Sequence, residues 1–505
     1  TTDFTKTLFT KAGENGEITD RSLSLKDYAG KTIRLAFRNI SNDKFLIAID
    51  DILVFDAQNR DAALASSDVK KYVLKGGEAE ISYSIKNTGL NTINQMELEW
   101  SDGLESHTDL LTGLNVKFFE TYSGTFKTKV SVEDASQIDI TAKIVSVNGL
   151  PDSVLENNIN TLVVRGLENA IPLKMVVEEA TGTWCGWCPR GAVNMEKMRE
   201  KYPDEFIGIA VHNEDPMMVQ DYNDGLTGLP GFGGFPSVII NRSAIEDPAD
   251  METILLENIR QDYGPVAVNA TGTFNGRTIT VDASVDFNTQ FVNEDLKLIA
   301  VLVEDGVKGT TAGFNQTNYY ANNAAGVMGG FEALPDPVPA SQMVYDEVGR
   351  ELIFGFEGRT NTFSTEINAG DFADLSFDVD VPTAYNINNV YVVVMVADAA
   401  GAILGGAHTE SKTVGANDVN ADLFSVGISP NPAFDVAYVD INLPVKEEVH
   451  MQIVNQMGKT VAARNYGSMS GKQILPVITQ DFGKGMYFVK IVAGNTQQTL
   501  KLVVE

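Results

Sequence analysis

Cysteine is nearly absent from this chain, because only two of its 505 residues, Cys185 and Cys188, are cysteines. A fold held together by several disulfides is therefore excluded, and each domain must be stabilised by a buried apolar core. A zinc site is disfavoured as well, since zinc requires four ligands and no third cysteine exists. The histidines that would complete such a site are scattered along the chain, at His107, His212, His408 and His450.

Long apolar stretches and basic residues are also scarce. No apolar run is long enough to span a bilayer, so the sequence predicts no transmembrane helix. Lysine and arginine number 38 against 68 aspartates and glutamates, and the formal net charge is −30. Because nucleic-acid phosphates require a basic surface, this charge disfavours nucleic acid as a partner. The acidic excess suits an extracellular protein and makes calcium on Asp-rich loops a candidate ligand, although solubility alone explains the same charge.

Length and composition predict several globular domains. A chain of this size is expected to form about three to five domains, and a hydrophobic content of 43% supplies several cores. The sequence begins at Thr1, without a methionine or a signal peptide, which favours a processed or truncated form. The patterns below predict a multidomain, mainly β fold in which β-sandwiches flank one α/β domain.

The two cysteines lie together in the motif WCGWCP, residues 184–189. A helix that starts near Gly186 places Cys185 at its N-terminal boundary, where free backbone N–H groups and the helix dipole favour a thiolate. A thiolate at Cys185 attacks a disulfide of a partner protein, and Cys188 then resolves the mixed disulfide. The motif therefore predicts a redox pair, which requires no cofactor.

The pattern around the motif predicts an α/β unit. Residues 173–178 and 205–212 are short apolar runs typical of strands, and residues 186–201 between them have a helical pattern. A poorer helix, a glycine-rich turn, a strand that begins at Pro236 and a helix over residues 250–261 follow.

Residues 168–262 resemble a thioredoxin-like domain in this order of elements. The segments GTWCGWCP and GFGGFPSVIINR resemble the Omp-type outer-membrane-protein family of secreted bacterial proteins, in which a β-rich domain directly follows. The resemblance implies that Pro236 is a cis-proline facing the cysteines. It also implies that Glu179, six residues before Cys185, is a buried carboxyl with a raised pKa that acts as general base for Cys188. The Gly-Trp pair between the cysteines and the glutamate at 179 depart from thioredoxins, so the redox potential is not implied.

Other interpretations of the motif stay open. Trp184, Trp187 and Phe235 are candidate substrate-binding residues, but aromatic side chains beside a helix start equally fit a packing role. The disulfide can be a passive bond, although a two-residue loop constrains little of the unfolded chain. The fold can also be a relic that now serves only for binding.

The remaining segments have the patterns of strands and turns. Residues 1–58, with Asp50 and Asp51 before a last strand, resemble the closing part of a cleaved-adhesin jelly-roll module. Their apolar residues alternate with period two at Ile33, Leu35 and Phe37, and again at Phe45, Ile47 and Ile49.

Residues 61–166 and 263–412 each predict an immunoglobulin-like β-sandwich, because short alternating strands are joined by turns rich in Asn and Gly. The second of these segments contains a long loop, residues 311–339, with Tyr319 and Tyr320. It is too long for a simple hairpin. We expect either a binding surface, a metal site or an excursion on the surface there.

The C-terminal segment, residues 423–505, follows a polar linker at 413–422 and predicts a small β-sandwich. It resembles the C-terminal sorting domain of the type IX secretion system in three features: the turn Pro430-Asn431-Pro432, the late strand GMYFVKI and the basic Lys501 in the terminal strand. Two prolines make that turn a rigid corner. The resemblance implies export through the type IX translocon to the surface of a Gram-negative bacterium.

Two functions fit these observations. The first is a secreted or surface-displayed thiol-disulfide oxidoreductase that acts on exported proteins. The second is an adhesin or a structural component of a layer or fibre, in which the thioredoxin-like fold is only a scaffold and open sheet edges allow self-assembly.

Overall fold

The computed structural model describes residues 4, 6–13, 19, 21–40, 48–54, 56–409, 425–455, 459–480, 482–493 and 496–504. Strand accounts for 47% and helix for 11% of the structure, which confirms the mainly β fold class. The chain divides into two compact units, Thr1–Glu410 and Ser411–Glu505. No helix in the described part of the chain is long and apolar enough to cross a membrane.

The described residues before residue 57 form a single 3₁₀ turn, Lys26–Tyr28, and no strand. The strand predicted through Ile33, Leu35 and Phe37 is therefore wrong, and these side chains are exposed. An alternating stretch becomes a strand only when a neighbour takes its backbone hydrogen bonds, and no described strand lies alongside this one. Of the second predicted strand, Phe45 and Ile47 lie outside the described residues and Ile49 is exposed.

Residues 62–167 form two main sheets around one core. The strands are β1 (Ala62–Val69), β2 (Tyr72–Leu74), β3 (Glu78–Ala79), β4 (Ile81–Asn87), β5 (Ile93–Ser101), β6 (Ser106–Val116), β7 (Thr121–Thr125), β8 (Val130–Ser131), β9 (Gln137–Val147) and β10 (Ile159–Leu167). The sheets have the orders β1-β4-β7 and β2-β10-β9-β5-β6, and β3 pairs with β8. Alternate residues of β4 and β5, such as Ile81, Ile85 and Leu98, fill the space between the sheets. This burial is the physical origin of the period-two pattern in the sequence.

Residues 175–257 form an α/β unit. Its elements are β11 (Met175–Thr181), α1 (Pro189–Lys201), β12 (Phe206–His212), α2 (Gln220–Thr227), β13 (Ser237–Ile240), β14 (Ala244–Glu246) and α3 (Met251–Glu257), and a 3₁₀ turn (Ile259–Gln261) follows. Strand β11 lies parallel to β12 and antiparallel to β13, and β13 pairs with β14. Every residue of β11 and β12 is buried, because helices or other chain segments cover both faces of this sheet.

The sheet of the α/β unit continues into the following region. That region contains β15 (Val266–Asn275), β16 (Thr278–Phe287), β17 (Phe291–Val292), β18 (Lys297–Glu304), β19 (Val348–Leu352), β20 (Glu366–Ile367), β21 (Phe372–Asp380), β22 (Val390–Ala397) and β23 (Ile403–His408). One eight-stranded sheet has the order β14-β13-β11-β12-β19-β18-β22-β23, whereas β15-β16-β21 and β17-β20 form separate sheets. The junction is parallel pairing of Ala210 in β12 with Val348 in β19. The boundary predicted at residues 262 and 263 therefore separates two parts that share a sheet.

The second unit contains β24 (Ser425–Ser429), β25 (Val436–Asn455), β26 (Thr460–Ile478), β27 (Gly485–Ala493) and β28 (Thr496–Val504). Their hydrogen bonds connect them in the order β24-β25-β27-β28, with β26 paired to β25, and the β-sandwich stays a prediction. Pairing of the long hairpin β25-β26 shifts register between Leu443 and Glu447. Val439 before this shift and Val489 of β27 belong to one buried cluster, so the strand residues on both sides of the shift share a core. The predicted linker, 413–422, lies outside the described residues.

Candidate redox site

The WCGWCP motif follows β11 as a turn, and Cys185 and Cys188 are joined in a disulfide with Cα atoms 5.4 Å apart. Helix α1 begins at Pro189 and Cys188 is its N-cap residue. The predicted helix start near Gly186 is therefore wrong, and Cys185 lies in the turn before the helix. Proline explains the difference, because its fixed φ and missing N–H favour the first helical position.

Glu179 of β11 lies beneath the first turn of α1. Its Oε1 atom would be only 1.7 Å from a Cβ atom on Gly191, so the glycine leaves the space that this carboxyl occupies. The side chain is buried, and Oε1 has no hydrogen-bond partner. Burial, and next the charge of Glu347, raise the pKa of Glu179 to about 8, against a hydrogen bond from Thr181 that lowers it. The carboxyl is consequently able to hold a proton at neutral pH.

Aromatic side chains flank the motif on one side. The peptide bond between Phe235 and Pro236 is cis, the form that the resemblance implied. The Phe235 ring packs edge-on against Trp184 with the ring centroids 5.4 Å apart, and the Trp184 indole N–H donates to the carbonyl of Asn213 at 2.9 Å. Trp184 nevertheless stays 46% exposed, so part of its ring is available to a partner.

Residues 316–320 of the long loop, here named the covering segment, lie over the motif. The N–H of Thr317 donates to the carbonyl of Thr183 at 2.8 Å, and the N–H of Tyr319 donates to that of Gly186 at 3.0 Å. Nε2 of Gln316 donates to the Cys185 carbonyl at 2.9 Å. The Tyr319 ring lies so close above Gly186 that a Cβ atom there would be 2.5 Å from it.

The covering segment also meets the second tryptophan of the motif. Trp187 makes edge-on contacts with Tyr319 and Tyr320, at centroid distances of 5.5 and 5.6 Å. As a result, Cys185 is only 4% exposed and Cys188 only 2% exposed. This part of the long loop thus packs over the cysteine motif, an outcome that differs from the binding surface, metal site or surface excursion expected from the sequence.

A buried pair of side chains, His212 and Asp215, fixes the backbone just before the motif. Nδ1 of His212, at the end of β12, lies 2.6 Å from Oδ2 of Asp215. The same Asp215 oxygen accepts a hydrogen bond from the N–H of Thr183 at 3.0 Å. Next to this pair lies a groove of about 610 Å³ that both the motif and the long loop border, and Trp184, Pro216, Met218 and Pro337 contribute to its walls.

The structure brings most of the predicted site residues together. Cys185, Cys188 and Glu179 lie around the start of α1, and Trp184 links them to Phe235, which precedes the cis-proline. Two further contributors to the site, Glu347 and the covering segment, are not marked by any motif in the sequence. Glu347 lies in an ordinary polar stretch with no motif, and the covering segment could be recognised only as part of an unusually long loop.

The predicted sorting residues are connected within the second unit. The side chain of Asn431 donates to the carbonyl of Lys501 at 2.8 Å and accepts from the N–H of Val503 at 2.9 Å. The peptide bonds before Pro430 and Pro432 are both cis. The proline turn is thereby tied to β28, the terminal strand of the sheet.

Metal-binding clusters are not found among the described residues, where no three His, Cys, Asp or Glu side chains are placed to hold an ion. Calcium binding stays a prediction.

Two family models match parts of the chain. Residues 226–417 match outer membrane protein Omp28, and residues 427–505 match a secretion system C-terminal sorting domain. The first match begins after the cysteine motif and includes six of the eight strands of the shared sheet, all except β11 and β12. No curated protein matches the chain.

Solved structures show only distant similarity. A protein from Agrobacterium tumefaciens has 16% identity and a TM-score of 0.29, covering 48% of this chain and 95% of its own. Dimeric latent PorU from Porphyromonas gingivalis has 9% identity and a TM-score of 0.19, over 88% of this chain and 34% of PorU. The CARDB domain of a Pyrococcus furiosus protein, in complex with di-metal ions, has 18% identity and a TM-score of 0.19, over 24% of this chain and all of that domain. At these TM-scores the structures define neither the fold nor the function of this chain.

The two family matches establish where the protein works. Similarity to outer membrane protein Omp28 and to a sorting domain places it at the cell surface or outside the cell of a Gram-negative bacterium, and the sorting domain implies interaction with the type IX secretion machinery.

Proposed function

We propose that this surface protein exchanges disulfides with exported proteins through Cys185 and Cys188, which belong to a thioredoxin-like unit. The strand order β14-β13-β11-β12, with the motif between β11 and α1 and a cis-proline before β13, supports that assignment. The observation that carries the proposal is Glu179. A buried carboxyl with an unpaired oxygen lowers the stability of the fold, and a purely structural disulfide would not require one.

The reaction follows from these positions. A thiolate of the partner protein attacks the sulfur of Cys185, the Cys185–Cys188 bond breaks, and Cys188 leaves as a thiolate. The protonated Glu179 carboxyl supplies the proton that converts this thiolate to a thiol. A second partner thiolate then attacks the partner sulfur of the mixed disulfide and releases Cys185, so the partner is oxidised and the cysteine pair is reduced. In the reverse direction Glu179 takes the proton from Cys188.

Partner binding is expected at the exposed face of the motif. Trp184 presents nearly half of its surface beside the groove, and an extended segment of a partner protein can contact it there. The covering segment must move first, because both sulfur atoms belong to almost fully buried residues.

Titration of the full-length protein against glutathione buffers tests this function, with free thiols alkylated and the oxidised fraction measured by mass spectrometry. A midpoint between about −270 and −120 mV would place the pair among exchanging oxidoreductases. A Glu179→Gln variant should exchange more slowly, whereas Glu99→Gln, on the surface of the first sandwich, is the matched control.

A scaffold or adhesin is the second candidate function, and the burial of both cysteines beneath the covering segment favours it. A disulfide that stays oxidised below about −300 mV would behave as a structural bond and would support this alternative. Self-assembly belongs to the same candidate, and sedimentation at increasing protein concentration tests it separately.

A further inference from the structure

A second buried carboxyl, that of Glu347, lies on the same face of the sheet as Glu179. Glu179 of β11 pairs with Ala210 of β12, and in a parallel pair such partners point to one face. Gly208, two residues before Ala210, points to that face as well. A Cβ atom on Gly208 would be 3.0 Å from the carboxyl carbon of Glu347, so the glycine makes room for this side chain.

The backbone holds Glu347 firmly in this position. Its N–H donates to Oδ1 of Asp305 at 2.7 Å, and its carbonyl accepts a hydrogen bond from the N–H of Ala210 at 2.6 Å. The residue has a φ of 57°, a left-handed conformation that is uncommon for a glutamate. A strained residue that the surrounding structure over-determines is often part of a functional site.

The two carboxyls are packed against the same helix. Glu179 lies beneath Gly191 in the first turn of α1, while Glu347 lies 3.7 Å from the guanidinium of Arg199 near the end of α1. Arg199 is partly exposed and also contacts Asp346 at the surface. A row of polar groups therefore extends from beneath the disulfide to solvent, along an otherwise apolar helix face that includes Met195.

We propose that Glu347 is a positioning residue of the redox site, which keeps the proton on Glu179 until the Cys188 thiolate takes it. The proposal rests on the exchange function given above. It also explains why the α/β unit shares a sheet with the region that follows, because that region supplies the second carboxyl.

The charges around Glu347 agree with this role. Burial raises the pKa of Glu347 to about 7, Arg199 lowers it, and the surrounding carboxylates of Asp305, Asp346 and Glu196 raise it. Near neutral pH, Glu347 is therefore partly ionised, and its negative charge opposes ionisation of Glu179. Loss of this charge should lower the pKa of Glu179, although burial alone keeps it above the value of an exposed glutamate.

The test is a pH titration of the Glu179 carboxyl in the full-length protein by infrared spectroscopy. The band of the protonated carboxyl is assigned by its loss in Glu179→Gln. In Glu347→Gln the midpoint of this band should move to lower pH by about one pH unit, as expected for removal of a neighbouring like charge. Glu347→Asp keeps the charge and tolerates the left-handed backbone, so it should restore the midpoint. The control is Glu304→Gln, another buried carboxyl of the sheet, which pairs with Arg350.

An unchanged or higher midpoint in Glu347→Gln would overturn the proposal. A parallel measurement of glutathione exchange separates the two ideas. If the midpoint falls as expected but the disulfide does not react with glutathione, the coupling of the two carboxyls is supported and the exchange function fails.

Discussion

Two neighbouring residues of β11, Glu178 and Glu179, point to opposite faces of one sheet and meet opposite environments. The carboxylate of Glu178 accepts hydrogen bonds from Nε and Nη2 of Arg242, both at 2.7 Å. It also accepts a hydrogen bond from the hydroxyl of Tyr222 at 2.7 Å. Glu179 has an oxygen with no partner and shares its face with a second acid, Glu347. The paired face has the contacts of a structural ion pair, whereas burial without a partner on the other face favours the protonated form of Glu179. Both carboxyls are buried, so the difference between them lies in their partners.

Breaking the paired face should have the largest effect. Glu178→Gln leaves the Arg242 guanidinium buried without its counter-charge, and we expect the local stability of the sheet to fall by about 3–5 kcal/mol. Hydrogen-exchange mass spectrometry on peptides from β11 and α2 of the full chain measures this loss. The matched control is Glu205→Gln at the exposed ion pair with Arg260, for which a loss below about 1 kcal/mol is expected. Equal losses in both variants would contradict the distinction.

The raised pKa of Glu179, on the unpaired face, should make the stability of the protein depend on pH. The pKa of Glu179 is about 8 in the folded protein and 4.5 is its ordinary value. Between these values the folded chain keeps a proton that the unfolded chain releases, so stability falls as pH rises, by at most about 1.4 kcal/mol per pH unit. Glu179→Gln should flatten this slope, and adding Glu347→Gln should flatten it further, because burial raises the pKa of Glu347 as well.

Hydrogen-exchange mass spectrometry on the peptides from β11 and α2 measures this dependence of stability on pH, after correction for the pH dependence of intrinsic exchange. Glu178→Gln is informative here too, because it should lower stability without flattening the slope. A wild-type slope that survives in Glu179→Gln would show that the unpaired carboxyl does not carry the proton.

The pattern of apolar residues was sufficient to predict the strands of the sheet on which the two glutamates lie. Apolar runs indicated the strands β11 and β12, and they lie within a few residues of the predicted positions. The predicted start of α1, near Gly186, is too early because it follows from the position of the cysteines. The helix begins at Pro189, and proline is a strong signal for the first helical position. The strand predicted through Leu35 failed for the opposite reason, since the alternation was present but no described strand pairs with it.

The contacts that complete the site could not be predicted in the same way. Gln316 reaches the Cys185 carbonyl across 131 positions of sequence, and Glu347 is placed beside β12 by the pairing of β19. Neither contact leaves a periodic or spaced pattern in the sequence. Glu179 could be predicted from the sequence because the family resemblance implies a carboxyl six residues before Cys185. Its burial beneath α1 and its proximity to Glu347 depend on the tertiary structure.

The proposed proton transfer from Glu179 also requires that a partner thiolate reach the disulfide, and both cysteines lie beneath the covering segment. Tyr319→Ala removes the ring above Gly186 and the contact with Trp187. We expect about tenfold faster reduction by dithiothreitol, since a loss of about 1.4 kcal/mol in the closed state changes the opening equilibrium tenfold. Gly186→Ala should act in the same direction, because its Cβ would collide with that ring.

Alkylation after timed exposure to dithiothreitol, followed by mass spectrometry, gives these rates. Tyr438→Ala in the second unit is the control, because that tyrosine is exposed to a similar extent and should leave the rate unchanged. Since the covering segment lies above the disulfide and Glu179 lies below the first turn of α1, the Tyr319→Ala acceleration should multiply with the slowing caused by Glu179→Gln. An unchanged rate in both Tyr319→Ala and Gly186→Ala would mean that the segment does not limit access, and the burial of the cysteines would then favour the scaffold function.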